Sequence, residues 1–437
     1  MRVAGIIAEY NPFHEGHRYL FTKICEELGE DTAVFVIMSG DFVQRGAPAL
    51  IDRADRTSAV LQCGADLVFE LPFTFATGSA DRFASGAVDS LIASGVITDL
   101  YFGAEHDSLS DLTRIASIDL ETIPEFKDSL DQLQKNGLSY AAAWEQAAIA
   151  VFPTLGMEDF SETYHMIIGE PNNILAISYL RRLLSKKSSI TPHLVHRKDS
   201  YHNEQLNEGK LPSATAVRQE VMNNYLSQDK GSFLRSLSSL SDYVPIPMLA
   251  EMLHSWNGIT CPMGQEDLIR VALPILRSTS ADKLAMTAHM GEQLASHIKN
   301  SIGSMHFDNK RSVESSFAEA VKTKCFPYSR IMRALSSLVV GQTTEDLISL
   351  NEPKYLRLLG FSERGRMVLK DMRKNAILPI LSRTSDALHF QKDPLFARMN
   401  ALDLTSHDWW TMTSRETWEE DYHFEVIQFK RNKIYRK

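Results

Sequence analysis

Residues 2–20 read RVAGIIAEYNPFHEGHRYL. An apolar, β-type run enters a polar turn at Pro12, and a helical pattern starts beside two histidines, His14 and His17. A strand passing through a short turn into a helix is the opening of a βαβ unit. The same sequence of elements recurs over the next hundred residues. TAVFVIMSG (32–40), ADLVFELPF (65–73) and TDLYFGAE (98–105) read as strands, separated by the helix-patterned HRYLFTKICEELG, IDRADRTSAVLQCG and SADRFASGAVDSLIASG. ITPHLVHRK (190–198) reads as a fifth strand. Strands alternating with helices of this length predict an α/β fold with a parallel sheet. In such sheets ligands lie outside the carboxyl ends of the strands, where the opening motif, SGDFVQRG (39–46) and FGAE all fall.

Beyond the fourth strand the pattern changes. Residues 107–165 read as a helical insertion, and LPSATAVRQEV (211–221) opens a further helix with Ser213 or Thr215 as its cap. We place the end of the first domain near residue 225. Helical patterns dominate 226–390, giving a mainly helical C-terminal domain. The last segment, 391–437, is aromatic and basic, with a short strand expected at HFEVIQFK.

Composition narrows the class. The 437 residues are 44% hydrophobic and 23% charged, as in a globular protein, and no uninterrupted apolar stretch is long enough to cross a membrane. The N-terminus lacks a signal-peptide cleavage pattern. The four cysteines (Cys25, Cys63, Cys261, Cys325) are dispersed without a CxxC pair, which disfavours a disulfide framework or zinc ribbon and suits a cytoplasmic protein. Net charge is −9, yet the second half carries three basic segments: KTKCFPYSRIMR (322–333), KYLRLLGFSERGRMVLKDMRK (354–374) and FKRNKIYRK (429–437). Lys322, Lys324, Arg330, Arg333, Arg364, Arg366, Lys370, Lys430 and Arg431 are the candidates there for holding a polyanion, with a solvated helix face as the plainer reading of each segment.

The histidine pair admits three readings. A zinc protease helix needs HExxH, with histidines four apart; here they are three apart and a glycine intervenes. No further Cys or His cluster supplies a third ligand, so we assign no metal. A buried packing pair is the second reading. The third is an anion site, in which Gly16 bares the backbone to a phosphate, the helix N-terminus offers unpaired N–H groups, and both imidazoles donate to phosphate oxygens as charge develops.

HEGH matches the HxGH signature of a nucleotidyltransferase superfamily that includes class I aminoacyl-tRNA synthetases. The superfamily's second motif, near ISxTxIR, is echoed by Ser213-Ala214-Thr215-Ala216-Val217-Arg218. GIIAEYNPFHEGHRYL, SGDFVQRGAPALIDRADR, YFGAE, PNNILAISYL and LVHRKDSYH together resemble the bacterial tRNA(Met) cytidine acetate ligase family, through nearly the whole chain. The resemblance implies a Rossmann-like nucleotidyltransferase domain followed by the helical, tRNA-binding one. It implies activation of acetate with ATP to acetyl-adenylate, then transfer of acetyl to N4 of the wobble cytidine of elongator tRNA(Met). His14, His17 and Arg218 would be catalytic. ATP would lie against Ile7, Ala8, Glu9, Tyr10, Asn11, Pro12, Phe13, His14, Glu15, Gly16, His17, Arg18, Tyr19 and Leu20. Gly103, Asn172, Asn173, His196, Arg197, Ser213 and Thr215 would complete the nucleotide site. Gln44, Arg45 and Arg56 would belong to an acetate-side loop. Mg2+ is expected with the triphosphate on charge grounds. Where the family pattern has SGNFVQRG, Asp41 stands here, and Arg53 stands where a lysine is usual. Two alternatives stay open: another HxGH adenylyltransferase acting on a small molecule, and a non-catalytic RNA-binding protein.

Overall fold

The structure, a computed structural model, describes residues 1–138, 140–157, 160–197, 206, 212–305, 311–414, 426–430 and 433–436. The alternation in the opening run sorts its side chains between two cores. Val3 enters one buried cluster and Ala4 and Ile6 the other. In the second strand Ala33, Phe35 and Ile37 face the first cluster, and Val34, Val36 and Met38 the second. A strand apolar on both faces has to lie inside a layered α/β fold.

The strands are β1 (Val3–Ala8), β2 (Ala33–Ser39), β3 (Leu67–Leu71), β4 (Asp99–Ala104) and β5 (Thr191–His196). They are followed by β6 (Leu356–Phe361), β7 (Ile380–Leu381), β8 (Ile427–Lys430) and β9 (Lys433–Arg436). Among the described residues they form one sheet in the order β5-β4-β1-β2-β3-β6-β8-β9, with β7 beside β6. The first five run parallel, in register Ala4↔Val34 between β1 and β2 and Ala4↔Asp99 between β1 and β4. From β1 the chain winds outward through β2 and β3, then returns to add β4 and β5 on the other side. That makes the gap between the ends of β1 and β4 a topological switch point, where such folds hold their ligands.

All five expected N-terminal strands are present, as are four helices within the expected insertion: Leu109–Ser117, Pro124–Lys135, Tyr140–Val151 and Ser161–Ile168. The expected division near residue 225 does not bound the sheet. β6 pairs antiparallel with β3 (Leu67↔Phe361, Glu70↔Arg357), so the chain beyond residue 350 extends the same sheet. Within the segment read as a basic patch, Leu356, Leu358 and Leu359 are buried, and Arg357 reaches Glu70 of β3 at 3.5 Å. A strand with a buried arginine does not look apolar until its carboxylate partner is known. The short strand expected near HFEVIQFK is β8; residues 423–425 of that stretch lie outside the described residues.

Candidate active site

The Glu15–Leu28 helix begins one residue after His14, which is its N-cap. His14 Nδ1 accepts the N–H of Gly16 at 3.1 Å, and His17 Nδ1 accepts the N–H of His14 at 3.2 Å. The two rings stack with centroids 3.7 Å apart. An imidazole that accepts at Nδ1 carries its proton on Nε2 when neutral. Both rings are held neutral. Burial lowers His14 well below its ordinary value, helped by His17, Arg197 and Arg218; burial and then Arg197 lower His17 to about 3. The outcome is a pair of fixed Nε2–H donors beside two guanidinium groups.

Two details of the expected anion site need correcting. The N–H groups at this helix start are not open, because Gly16 donates to His14, and Glu15 donates to the carbonyl of Tyr243 at 2.9 Å. Gly16 is required by a ring: a Cβ there would sit 2.9 Å from His14 Cε1 and 3.0 Å from Nδ1. Glycine lets the imidazole fold back onto its own helix, so the donors are side chains and not the bare backbone.

The second motif stands against the first, since the same Cβ would lie 3.7 Å from the carbonyl oxygen of Pro212. Ser213 caps the Ala214–Ser227 helix, its Oγ accepting from the N–H of Ala216 at 3.1 Å. Arg218 donates to the carbonyl of Asn11 at 2.7 Å and to Thr215 Oγ1 at 3.0 Å, which fixes its guanidinium between the two motifs. A helix start facing the crevice adds its partial positive charge.

The carboxyl ends of the other strands complete the crevice. The Arg197 N–H donates to the carbonyl of Ala104 at 2.8 Å, and its aliphatic stem lies over Gly103, where a Cβ would come within 3.0 Å of Arg197 Cδ. Gly103 thus makes room for the arginine whose charge reaches both histidines. His196 is exposed beside it. Asn173 is buried, its Oδ1 accepting from the N–H groups of Glu105 (3.0 Å) and His106 (2.9 Å) and its amide donating to Ile167 O at 3.0 Å. Asn172 donates to Glu105, which also takes the N–H of Asn173. Both asparagines therefore clamp the loop after β4 to the Pro171–Ser185 helix. Glu105, their common partner, had no role assigned from sequence; its place directly after a strand was the available signal.

Within the opening stretch, Ile7, Ala8 and Glu9 are half-buried at the end of β1. Tyr10 takes a positive φ of 47° and packs edge-on to His17 and Phe13, its hydroxyl buried without a hydrogen bond. Such backbone strain concentrates at functional sites. Asn11 accepts the N–H of Leu50 at 2.7 Å, and Pro12 and Phe13 are buried. Arg18, paired with Glu15 at 2.8 Å, and Tyr19 are exposed; Leu20 is half-buried.

In the expected acetate-side loop, Gln44 donates its N–H to Glu9 Oε1 at 2.8 Å and its amide to Gly78 O at 3.0 Å. Arg45 is exposed. Arg56 is wholly buried and donates to the carbonyls of Glu9 (2.7 Å), Ser39 (3.0 Å), Ile51 (3.1 Å) and Gly40. It braces the ends of β1 and β2. Asp41 is likewise internal, with His407 Nδ1 at 3.0 Å and Arg53 at 3.6 Å. Of the basic candidates, Lys322, Lys324, Arg366, Lys370 and Lys430 are exposed, while Arg431 lies outside the described residues. Arg364 donates to the carbonyls of Glu30 and Thr32, both at 2.8 Å, and so braces the fold.

A family model described as HIGH Nucleotidyl Transferase matches residues 1–423. Among curated relatives, tRNA(Met) cytidine acetate ligase of Acetivibrio thermocellus is 33% identical over 94% of this chain and 95% of its own. That of Clostridium novyi is 34% identical over 89% and 92%. The chain belongs to the tRNA(Met) cytidine acetate ligase family. A solved member, Thermotoga maritima TmcAL bound with alpha-thio ATP, superposes with a TM-score of 0.86 at 30% identity, covering 99% of this chain and 100% of that one. Its apo form gives 0.88. This ligase family is thus one of HIGH-type nucleotidyltransferases. Among the described residues no helix is long and apolar enough to cross a membrane.

Proposed function

We propose that this chain activates acetate with ATP and passes the acetyl group to N4 of the wobble cytidine of elongator tRNA(Met), forming N4-acetylcytidine. The observation that carries the reading is the neutral, stacked His14–His17 pair, with Nε2–H donors flanked by Arg197 and Arg218 at the switch point of the sheet. In the first step an acetate oxygen attacks the α-phosphorus of ATP, and the bond from that phosphorus to the bridging oxygen breaks. Pyrophosphate leaves with the electron pair. The charge that grows on it meets fixed N–H donors and two guanidiniums, which is stabilisation by preorganised position. In the second step the cytosine amine attacks the acetyl carbonyl of the mixed anhydride. AMP leaves and the amine loses a proton. A base in an anticodon stack must first be turned out to reach this crevice.

Neutral histidines suit the first step. They donate without adding full positive charges that would hold the product pyrophosphate. Among the described residues no group of three His, Cys, Asp or Glu could hold a metal ion, so Mg2+ would travel on the triphosphate and no step is assigned to it. Exposed Lys322, Lys324, Arg366, Lys370 and Lys430 are the side chains that would meet the tRNA backbone. The test supplies labelled acetate, ATP and tRNA(Met) to the purified protein and digests the tRNA to nucleosides. Label in N4-acetylcytidine, dependent on ATP, is expected; unlabelled tRNA beside acetate-dependent ATP turnover would mean a different acyl acceptor.

A further inference from the structure

Beside the 40–46 loop four cationic or polar groups meet from separate parts of the chain. Gly46, at φ +80°, lies against the Tyr328–Val340 helix so closely that a Cβ would sit 2.4 Å from the backbone nitrogen of Arg333. That contact puts Arg45 next to Arg333. One turn earlier, Arg330 donates from Nε to the carbonyl of His289 at 3.1 Å. His289 itself holds a positive φ of 64°, and its Nε2 is buried with no hydrogen-bond partner. The Nε of Arg333 is buried and unpartnered as well. Neither Arg330 nor Arg333 pairs with a carboxylate among the described residues. Burial, with Arg330 and Arg45 adding repulsion, lowers Arg333 to about 10; burial, then Arg333, Arg82 and Arg330, lower His289 to about 3.

Arg330 and Arg333, drawn together with no carboxylate partner among the described residues and with the Arg333 Nε left open, cost free energy in the empty protein. An oxyanion repays that cost, and guanidinium groups match phosphate in a two-pronged way. We infer that Arg45, His289, Arg330 and Arg333 form a seat for a backbone phosphate of the RNA substrate.

Position favours RNA over acetate. The inner side of the same loop touches the nucleotide turn through Gln44 and Glu9, 2.8 Å apart, so the seat lies one loop's width from the crevice. Arg45 is exposed, and Arg330 and Arg333 are partly so, which opens the seat to a large ligand. Exposed Lys322 and Lys324 precede the same helix and continue the positive surface outward, as a polyanion needs and a two-carbon acid does not. The inference rests on the proposed function and adds to it the place where the RNA chain crosses the rim.

The test measures tRNA affinity of the full chain against salt, without ATP or acetate, for the wild type, Arg330→Gln, Arg333→Gln and Arg333→Lys. We expect each glutamine variant to bind about tenfold more weakly, and the slope of log affinity against log salt to fall by roughly 0.7–0.9 for one lost phosphate contact. Arg333→Lys should recover part of both. If Arg333→Gln fails to fold, Arg330→Gln, on a half-exposed side chain, carries the test. Unchanged affinity and slope in folded variants would overturn the seat. So would a raised acetate KM in ATP–pyrophosphate exchange with RNA affinity unchanged, which would assign the cluster to the carboxylate. Because binding is read without the reaction, a wild type that binds RNA through these residues yet acetylates none would fail the proposed function and keep the seat.

Discussion

His14 and His17 act as donors only because of where their Nδ1 atoms are bound, and that is a matter of a few backbone N–H groups. Replacing His17 with alanine removes one fixed Nε2–H and unstacks His14; kcat of acetate-dependent exchange should fall by about 10²–10³-fold, the loss typical of one such donor, with tRNA affinity unchanged in a binding assay. The depressed basicity of the pair also sets a pH dependence. The unfolded chain takes up protons on these rings near 6.5, while the folded chain resists until about 3 for His17. Stability from this source is therefore whole above 6.5 and is lost progressively as pH falls from 6.5 toward about 3. His17→Gln should flatten the decline of the urea midpoint below pH 6.5; an unaltered slope would show that the ring titrates normally. The histidines and the SATAVR arginine were legible in the sequence because each motif is local and follows a strand. The role of Gly16 was not legible. Whether a missing Cβ serves a phosphate or a neighbouring ring depends on the fold of the turn, and the ring of His14 occupies the space.

The elements behind the site are held by buried charge. Arg56, on the Arg53–Gln62 helix, ties the carbonyl ends of β1 and β2 into one rim, so the turn bearing HEGH and the loop bearing Gln44 keep a fixed spacing. Arg56→Ala would leave several buried carbonyls without a donor, at a cost on the order of 3–5 kcal/mol. A drop in melting temperature of roughly 3–5 °C, read by calorimetry, is the expected outcome; a variant melting with the wild type would mean that water replaces the guanidinium at no cost. Strands β1 to β5 could be read from runs of apolar residues with turn signals at each end. β6 could not, because Arg357 interrupts LRLLGF and its partner, Glu70, lies on a strand nearly three hundred residues earlier. A still longer separation hid the Asp41–His407 contact, which explains an aspartate in the SGDFVQRG loop: His407 and Arg53 outweigh burial and hold its carboxyl below the ordinary range.

At the scale of the molecule, the sheet joins the ends of the chain. β3 would be an open edge without β6, and the Pro394–Ser414 helix seals the SGDFVQRG loop through His407 and through Trp410, which donates to Ala49 O at 2.8 Å. A fragment ending at residue 225 should expose that edge and the apolar faces beside it, and should aggregate on expression; a soluble 1–225 fragment that binds ATP would contradict this account of the sheet. The most direct test of the central claim, that this crevice makes an acyl-adenylate, is ATP–pyrophosphate exchange by the whole protein without tRNA. Exchange that requires acetate and falls by about 10²–10³-fold in His17→Ala is predicted. Exchange that is indifferent to acetate, or that survives loss of His17 undiminished, would contradict it.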